Sequence, residues 1–139
     1  MLSMLTSIIC LAQAVYFEAG NQEALGKQAV AHVIMNRVRD QRFPGTVCDV
    51  IQEGKYVTGY KYPLKYKCSF TFYCDRKPEI ITDEKIYEQA FRIAVLAYFN
   101  ISRDVTKGAT HYHATYVTPT WADSDRVTYE YQDHIFYRM

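Results

Sequence analysis

The chain has almost no net charge. Its 16 basic and 15 acidic residues are interspersed and leave a formal charge of +1, so it lacks the basic footprint that drives sequence-independent nucleic-acid binding, and nucleic acid is excluded as a partner. No basic residue precedes the apolar run from Leu5 to Val15, and Thr6, Ser7 and Gln13 interrupt it. The run is too short and too polar to cross a bilayer and lacks the charged start of a secretory signal, so no signal peptide and no stable membrane insertion are predicted. It reads instead as the first helix of the fold. The four cysteines, Cys10, Cys48, Cys68 and Cys74, have no structural-zinc spacing and form no Cys-x-x-Cys pair. Cys68 and Cys74 suit a bridge closing a short loop, with Cys48 an alternative partner for either. Cys10 reads as a small buried hydrophobe on the apolar side of the first helix. No repeat or linker divides the 139 residues, so residues 1–139 are expected to fold as one domain and to act as a monomer.

What the chain has in quantity is aromatic rings. Thirteen Tyr accompany seven Phe and one Trp, and many rings with a hydroxyl handle suit sugars, although most are expected at core edges and in strand pairing. After the first helix, Gly20-Asn21 is a break, and a second helix is predicted from about Gln22 to Asp40, with Leu25, Ala29, Val33 and Val38 on its apolar side. Phe43-Pro44-Gly45 ends it. A short helix is predicted over Val47 to Glu53, then a loop from Gly54 to Lys67. A long amphipathic helix follows, capped at Thr82 or Asp83 and running to Phe99. Beyond Gly108 the pattern turns to alternation, with strands over Ala109 to Val117, Val127 to Tyr131 and Ile135 to Tyr137. The expected class is α+β, a helical core with a small antiparallel β-sheet bordering a substrate cleft.

Glu18 is the most informative residue. Ile8, Leu11 and Val15 precede it at helical spacing on one face, so a carboxyl falls where the pattern is apolar. Val15, Tyr16, Phe17 and Ala19 around it disfavour ionisation, the condition under which a glutamate serves as a general acid near neutral pH. The competing reading ends the helix at Gly20 and turns Glu18 into solvent.

Four segments occur in order: Ala14-Val15-Tyr16-Phe17-Glu18-Ala19; Val33-Ile34-Met35-Asn36-Arg37-Val38 with Arg42-Phe43-Pro44; Cys68-Ser69-Phe70-Thr71-Phe72-Tyr73-Cys74-Asp75; and Gly108-Ala109-Thr110-His111-Tyr112-His113-Ala114 with Trp121 and His134-Ile135-Phe136-Tyr137 downstream. Together they resemble the SleB-type cell wall hydrolase family, which includes spore cortex-lytic enzymes and related phage lysins. The resemblance implies a lysozyme-like fold that acts without a cofactor on the glycan strands of bacterial peptidoglycan, with Glu18 as the catalytic acid. It also implies lytic transglycosylase chemistry between N-acetylmuramic acid and N-acetylglucosamine, closing a 1,6-anhydro ring. One carboxyl group suffices for that reaction. Many family members carry a second glutamate four residues after the first, where this chain has Gln22. That departure removes a carboxylate which hydrolysis would use, and leaves Glu23, Asp49 and Asp75 as the other candidates; the muramidase-type hydrolase is the alternative.

By the same resemblance Tyr112 is expected to bond the substrate or reacting centre beside Glu18. It lies on the strand face opposite His111 and His113, so one of the two faces is expected to be structural, and Tyr112 is taken as the cleft residue. The two histidines face the same way, but His32 and His134 are remote and no third ligand is identifiable, so no metal site is predicted. Phe70 and Thr71 are expected in a strand or turn edge against the cleft, where the Thr71 hydroxyl meets an acetamido group, or else in a buried strand pinned by the flanking cysteines. Trp121 is expected to stack on a sugar or to anchor the core edge. Arg37 is read as pairing with a carboxylate or lying along apolar surface. Two further function classes stand beside the enzyme: a non-catalytic glycan-binding module, and a cysteine amidase or peptidase that pairs a Cys with His111, His113 or His134. The expected place of action is the bacterial wall, periplasmic or extracellular, with the chain as a phage lysin delivered by a holin or a virion.

Overall fold

Helix α1 (Leu2–Ala19) buries Ile8, Leu11, Ala12, Val15 and Ala19 in a continuous stripe and carries Glu18 in its last turn. The computed structural model to which it belongs describes residues 2–56, 58–59, 62–65 and 67–139. A Cβ at Gly20 would stand 2.5 Å from the Tyr16 carbonyl oxygen, so only glycine lets the chain leave α1 this tightly. Helix α2 (Ala24–Val38) follows and lies at the centre. Ala29, Val30, Ala31, His32, Val33 and Ile34 are all 0% exposed, a helix buried around its circumference rather than along one stripe. Leu25, expected on its apolar side, is instead 43% exposed at its start.

Thr46 caps the short helix α3 (Val47–Ile51), its hydroxyl accepting from the Asp49 amide at 3.2 Å. Helix α5 (Glu84–Tyr98) is capped by Asp83, which accepts from the Lys85 and Ile86 amides at 3.1 Å each. Its buried side is a stripe of Ala90, Ala94 and Ala97 packed on α1 and α2. Side chains this small allow close approach of the helix axes.

Two disulfides staple the helical part. Cys10 of α1 is bonded to Cys48 of α3, and Cys68 to Cys74. The reading of Cys10 as an unpaired hydrophobe is therefore corrected, as is the alternative pairing of Cys48 with Cys68 or Cys74. The physical reason is that α1 and α3 pack directly, which brings the two Cα atoms to 5.4 Å.

Of the strand or turn edge expected at Phe70 and Thr71, the turn forms and the strand does not. Thr71–Cys74 forms a helical turn, α4, because the 68–74 bridge holds its Cα atoms 6.3 Å apart, whereas six extended residues would span roughly 20 Å. The loop expected from Gly54 to Lys67 has no helix or strand among its described residues. Residues 57, 60, 61 and 66 of it lie outside the described residues. Gly54 pairs with Cys68 in an isolated bridge, where a Cβ would meet that of Cys68 at 2.7 Å.

Strands β1 (His111–Ala114), β2 (Val127–Tyr131) and β3 (His134–Tyr137) form an antiparallel sheet of order β1-β3-β2. The register pairs His111 with Tyr137 and Tyr112 with Phe136. Alternation places Tyr112, His134, Phe136 and Tyr129 on the face against the helices, and His111, His113, Ile135 and Tyr137 on the other. β1 is an edge strand.

Candidate active site

Among the described residues, the carboxyl of Glu18 receives one hydrogen bond, from the Tyr112 hydroxyl to Oε1 at 2.5 Å. It joins the last turn of α1 to the inner face of β1, two segments far apart in the chain. Glu18 keeps an intermediate share of its surface open, yet protein atoms crowd its carboxyl. Burial pushes its pKa above the usual glutamate value, and the Tyr112 hydrogen bond opposes this in part. No neighbouring charge contributes to the shift. Tyr112 is itself driven well above the ordinary tyrosine range, by burial first and then by the adjacent carboxyl. The pair thus holds a neutral phenol as donor against a carboxyl biased towards its neutral form.

Tyr112 is positioned from behind by α2. The Asn36 amide donates to the Ala109 carbonyl at 2.9 Å, and Arg37 Nε donates to the Thr110 carbonyl at 2.6 Å, which anchors the two residues that lead into β1. Arg37 is 9% exposed, with its guanidinium over the rings of Phe43 at 4.9 Å and Phe70 at 5.5 Å. Of the two surroundings expected for it, the apolar one is met, in the form of two aromatic rings, and among the described residues no carboxylate lies at ion-pair distance. Asp104 completes the support. It accepts from the Asn36 amide, the Thr106 hydroxyl and the Thr106 and Gly108 amides. Burial works against its ionisation, but those four donors outweigh it and hold its pKa below the usual aspartate value. The sequence assigns no role to Asn36 or Asp104, and to Arg37 none in holding the lead into β1. The signal that could have found them is the run of polar residues on a helix whose other positions are apolar, facing a Gly108-Ala109-Thr110 segment rich in backbone groups to be bonded.

A cavity of about 470 Å³ lies along the edge strand, with Arg37, Ser69, Tyr112, His113 and Trp121 in its wall. His111 lines it too, so the expectation that only one face of β1 could border a cleft is corrected. An edge strand is open on one side, and a cavity along that side meets side chains of both faces. Trp121 is 37% exposed and its ring touches His111, His113 and Tyr137, with centroids 5.2, 5.6 and 5.2 Å away. His113 Nε2 meets the Tyr137 hydroxyl at 2.6 Å. Burial, helped by the charges of Arg37 and Arg42, pushes the pKa of His111 down to about 4, so its imidazole is neutral at neutral pH.

Of the residues expected to touch substrate, the structure brings Tyr112 to Glu18 and sets Trp121 in the same cavity wall as Tyr112. Phe70 is 2% exposed and supports Arg37 from below, so its ring is a core element and not a cleft wall. Thr71 is exposed at the start of α4 and is not part of the cavity wall. Gln22 is 6% exposed beside the sheet, its amide donating to Asp133 at 3.3 Å. Glu23 accepts from the Tyr131 hydroxyl, Asp75 from the Lys77 amide, and Asp49 is exposed on α3. No described group of three or more His, Cys, Asp or Glu side chains converges as a metal site would. All four cysteines are in disulfides, and no free thiol remains among the described residues. The cysteine-nucleophile reading is thereby overturned, since a bonded sulfur has no thiolate to attack with.

Residues 21–137 match the family described as Cell Wall Hydrolase, a span that begins just after Glu18. The chain is similar to the spore cortex-lytic enzyme of Halalkalibacterium halodurans, 37% identical over 102 residues. That match covers 73% of this chain and 25% of the relative, so the chain spans about a quarter of the curated relative it matches. Among solved structures it is similar to the catalytic domain of the Bacillus cereus SleB protein, with TM-score 0.69 and 28% identity over 94% of this chain and 88% of that one. It is also similar to the catalytic domain of the germination-specific lytic transglycosylase SleB from Bacillus anthracis, with TM-score 0.58 and 29% identity over 94% and 93%. These matches bear out the expected lysozyme-like α+β fold.

Proposed function

Because the chain belongs to the cell wall hydrolase family, we propose that it cleaves peptidoglycan glycan strands between N-acetylmuramic acid and N-acetylglucosamine as a lytic transglycosylase, with Glu18 as the single acid and base. The observation that carries this reading is the Glu18–Tyr112 pair: a crowded carboxyl, pushed towards its neutral form by burial, with Oε1 held by the Tyr112 hydroxyl. Tyr112 lines the cavity and links it to Glu18, which is not itself in the cavity wall. Glu18, protonated, gives its proton to the glycosidic oxygen as the bond to the anomeric carbon breaks. The resulting carboxylate takes the proton of the C6 hydroxyl while O6 bonds to the anomeric carbon, so the enzyme ends protonated as it began and no water is consumed. The Tyr112 hydrogen bond supports the carboxylate in the interval. A retaining or inverting hydrolase would ask for a second carboxylate, and the other candidates have other surroundings: Glu23 accepts from the Tyr131 hydroxyl, Asp75 from the Lys77 amide, and Asp49 is exposed on α3. In this reading Trp121 stacks on a sugar ring, with Ser69 and His113 offering polar groups in the same wall.

Digestion of purified sacculi followed by mass spectrometry of the fragments tests it. Anhydro ends, one water lighter than reducing ends, are expected. Reducing ends would give the muramidase instead, and sedimentation with intact sacculi without fragments would give the binding module. The setting we attach is lysis of a bacterial wall, as by a phage lysin, checked by clearing of cells exposed to the domain from outside.

A further inference from the structure

A second cavity, of about 320 Å³, lies beside the 68–74 bridge and is lined by Tyr62, Tyr73, Arg76, Lys77, Pro78 and Glu79. It belongs neither to the Glu18–Tyr112 pair nor to the wall under Trp121. Its character is mixed: two tyrosine rings, centroids 5.4 Å apart and tilted 55°, give an apolar wall, while two cations face one acid. Among the described residues neither Arg76 nor Lys77 has a carboxylate at ion-pair distance. Arg76 is held at φ 65, a left-handed conformation that costs a non-glycine residue free energy, and the Lys77 amide is fixed by Asp75 Oδ1 at 2.9 Å. The backbone is therefore bent sharply at the point where both cations meet the cavity.

The position matters as much as the chemistry. Tyr73 follows Phe72, whose ring stacks on Phe17, the neighbour of Glu18, with centroids 5.2 Å apart. The Tyr16 hydroxyl accepts from the Thr82 and Asp83 amides at 3.1 Å each, which ties the end of this segment to the last turns of α1. The segment that carries the cavity is thereby tied at both ends to the last turns of α1, which present Glu18. We infer that this cavity is a subsite for the carboxylate-bearing peptide carried by the glycan strand, with Arg76 and Lys77 meeting a carboxylate and the tyrosine pair meeting the peptide's aliphatic part. The inference rests on the peptidoglycan reading above. A neutral sugar has no use for two unpaired cations, and a bare inorganic anion has none for two rings.

The test is a titration of the whole domain with a soluble wall tetrapeptide, read on the ring signals of Tyr62 and Tyr73 by NMR. Saturable shifts are expected, with binding weakened roughly tenfold in the Arg76→Asn, Lys77→Ala double variant, the size of losing a charge-assisted contact. Asn tolerates the left-handed backbone at 76; should the pair still disturb folding, Lys77→Ala alone is expected to weaken binding about threefold. No shift, equal affinity in the variants, or equal response to inorganic phosphate would each overturn the assignment. Sacculus digestion without peptide binding sinks this inference alone. Peptide binding without digestion sinks the enzymatic reading and leaves the cavity's ligand as stated.

Discussion

The two faces of the three-stranded sheet draw on the same residue types, tyrosine and histidine with one large partner, and come out with opposite characters. On the inner face Phe136 is 0% and His134 8% exposed, and rings of Tyr112, Tyr129 and Phe136 pack against the helical core. The Tyr112 hydroxyl is committed to Glu18. On the outer face His111, His113 and Tyr137 gather around a Trp121 that keeps 37% of its surface. The inner face fixes a proton; the outer one offers ring surface. Which side of the pleat a ring takes, one residue either way, decides between the two uses.

Glu18→Gln breaks the inner face at its reacting atom. Fragment release is expected to fall by about three orders of magnitude, or about 4 kcal/mol of transition-state stabilisation. The same variant has a pH signature in stability. A folded pKa raised by burial means that the neutral carboxyl's contribution is fully present below the unfolded glutamate pKa and is lost as pH rises through the folded one. Thermal melts of the variant should therefore gain on the parent as pH rises from acid to neutral, and a constant difference would contradict the buried state of the carboxyl.

Arg37→Ala removes the support common to both faces, the donor to the Thr110 carbonyl and the cation between Phe43 and Phe70. Urea unfolding is expected to show a loss of about 3 kcal/mol. Tyr112→Phe keeps the ring and removes the hydroxyl. A drop of ten- to a hundredfold in kcat, about 2 kcal/mol, is expected. Because that hydrogen bond lowers the Glu18 pKa, the alkaline limb of the pH–rate profile should move to higher pH; a limb that stays in place would detach Glu18 from it. Trp121→Ala, on the outer face, has the smallest expected effect, about 1 kcal/mol seen as a several-fold rise in KM with kcat kept within about twofold. An equal fall in kcat would erase the distinction between the faces.

Periodicity carried the three long helices and the three strands to within a few residues, since α1 and α5 each bury one face and the strands alternate in sequence. Glu18 was legible for the same reason: it interrupts an apolar stripe. The resemblance places Tyr112 beside Glu18 as a partner of the substrate or reacting centre; the hydrogen bond between the two side chains spans 94 positions, and no local pattern encodes it. At Thr71–Cys74 the sequence leaves strand and turn open, because a disulfide, and not side-chain alternation, shapes the segment. The hold of Asn36 and Arg37 on the lead into β1 is not legible, because there they bond backbone carbonyls, which every residue has and which no sequence distinguishes.

The bridge from α1 to α3 reaches beyond folding. It closes a loop of 38 positions and its companion one of 6, constraints worth about 4 and 2 kcal/mol against the unfolded chain. Such bonds persist in oxidising surroundings and are kept open by cytosolic thiols. The same polypeptide is thus two materials, a slacker one among reductants and a cross-linked one outside them, and the helix that presents the acid is braced only in the second.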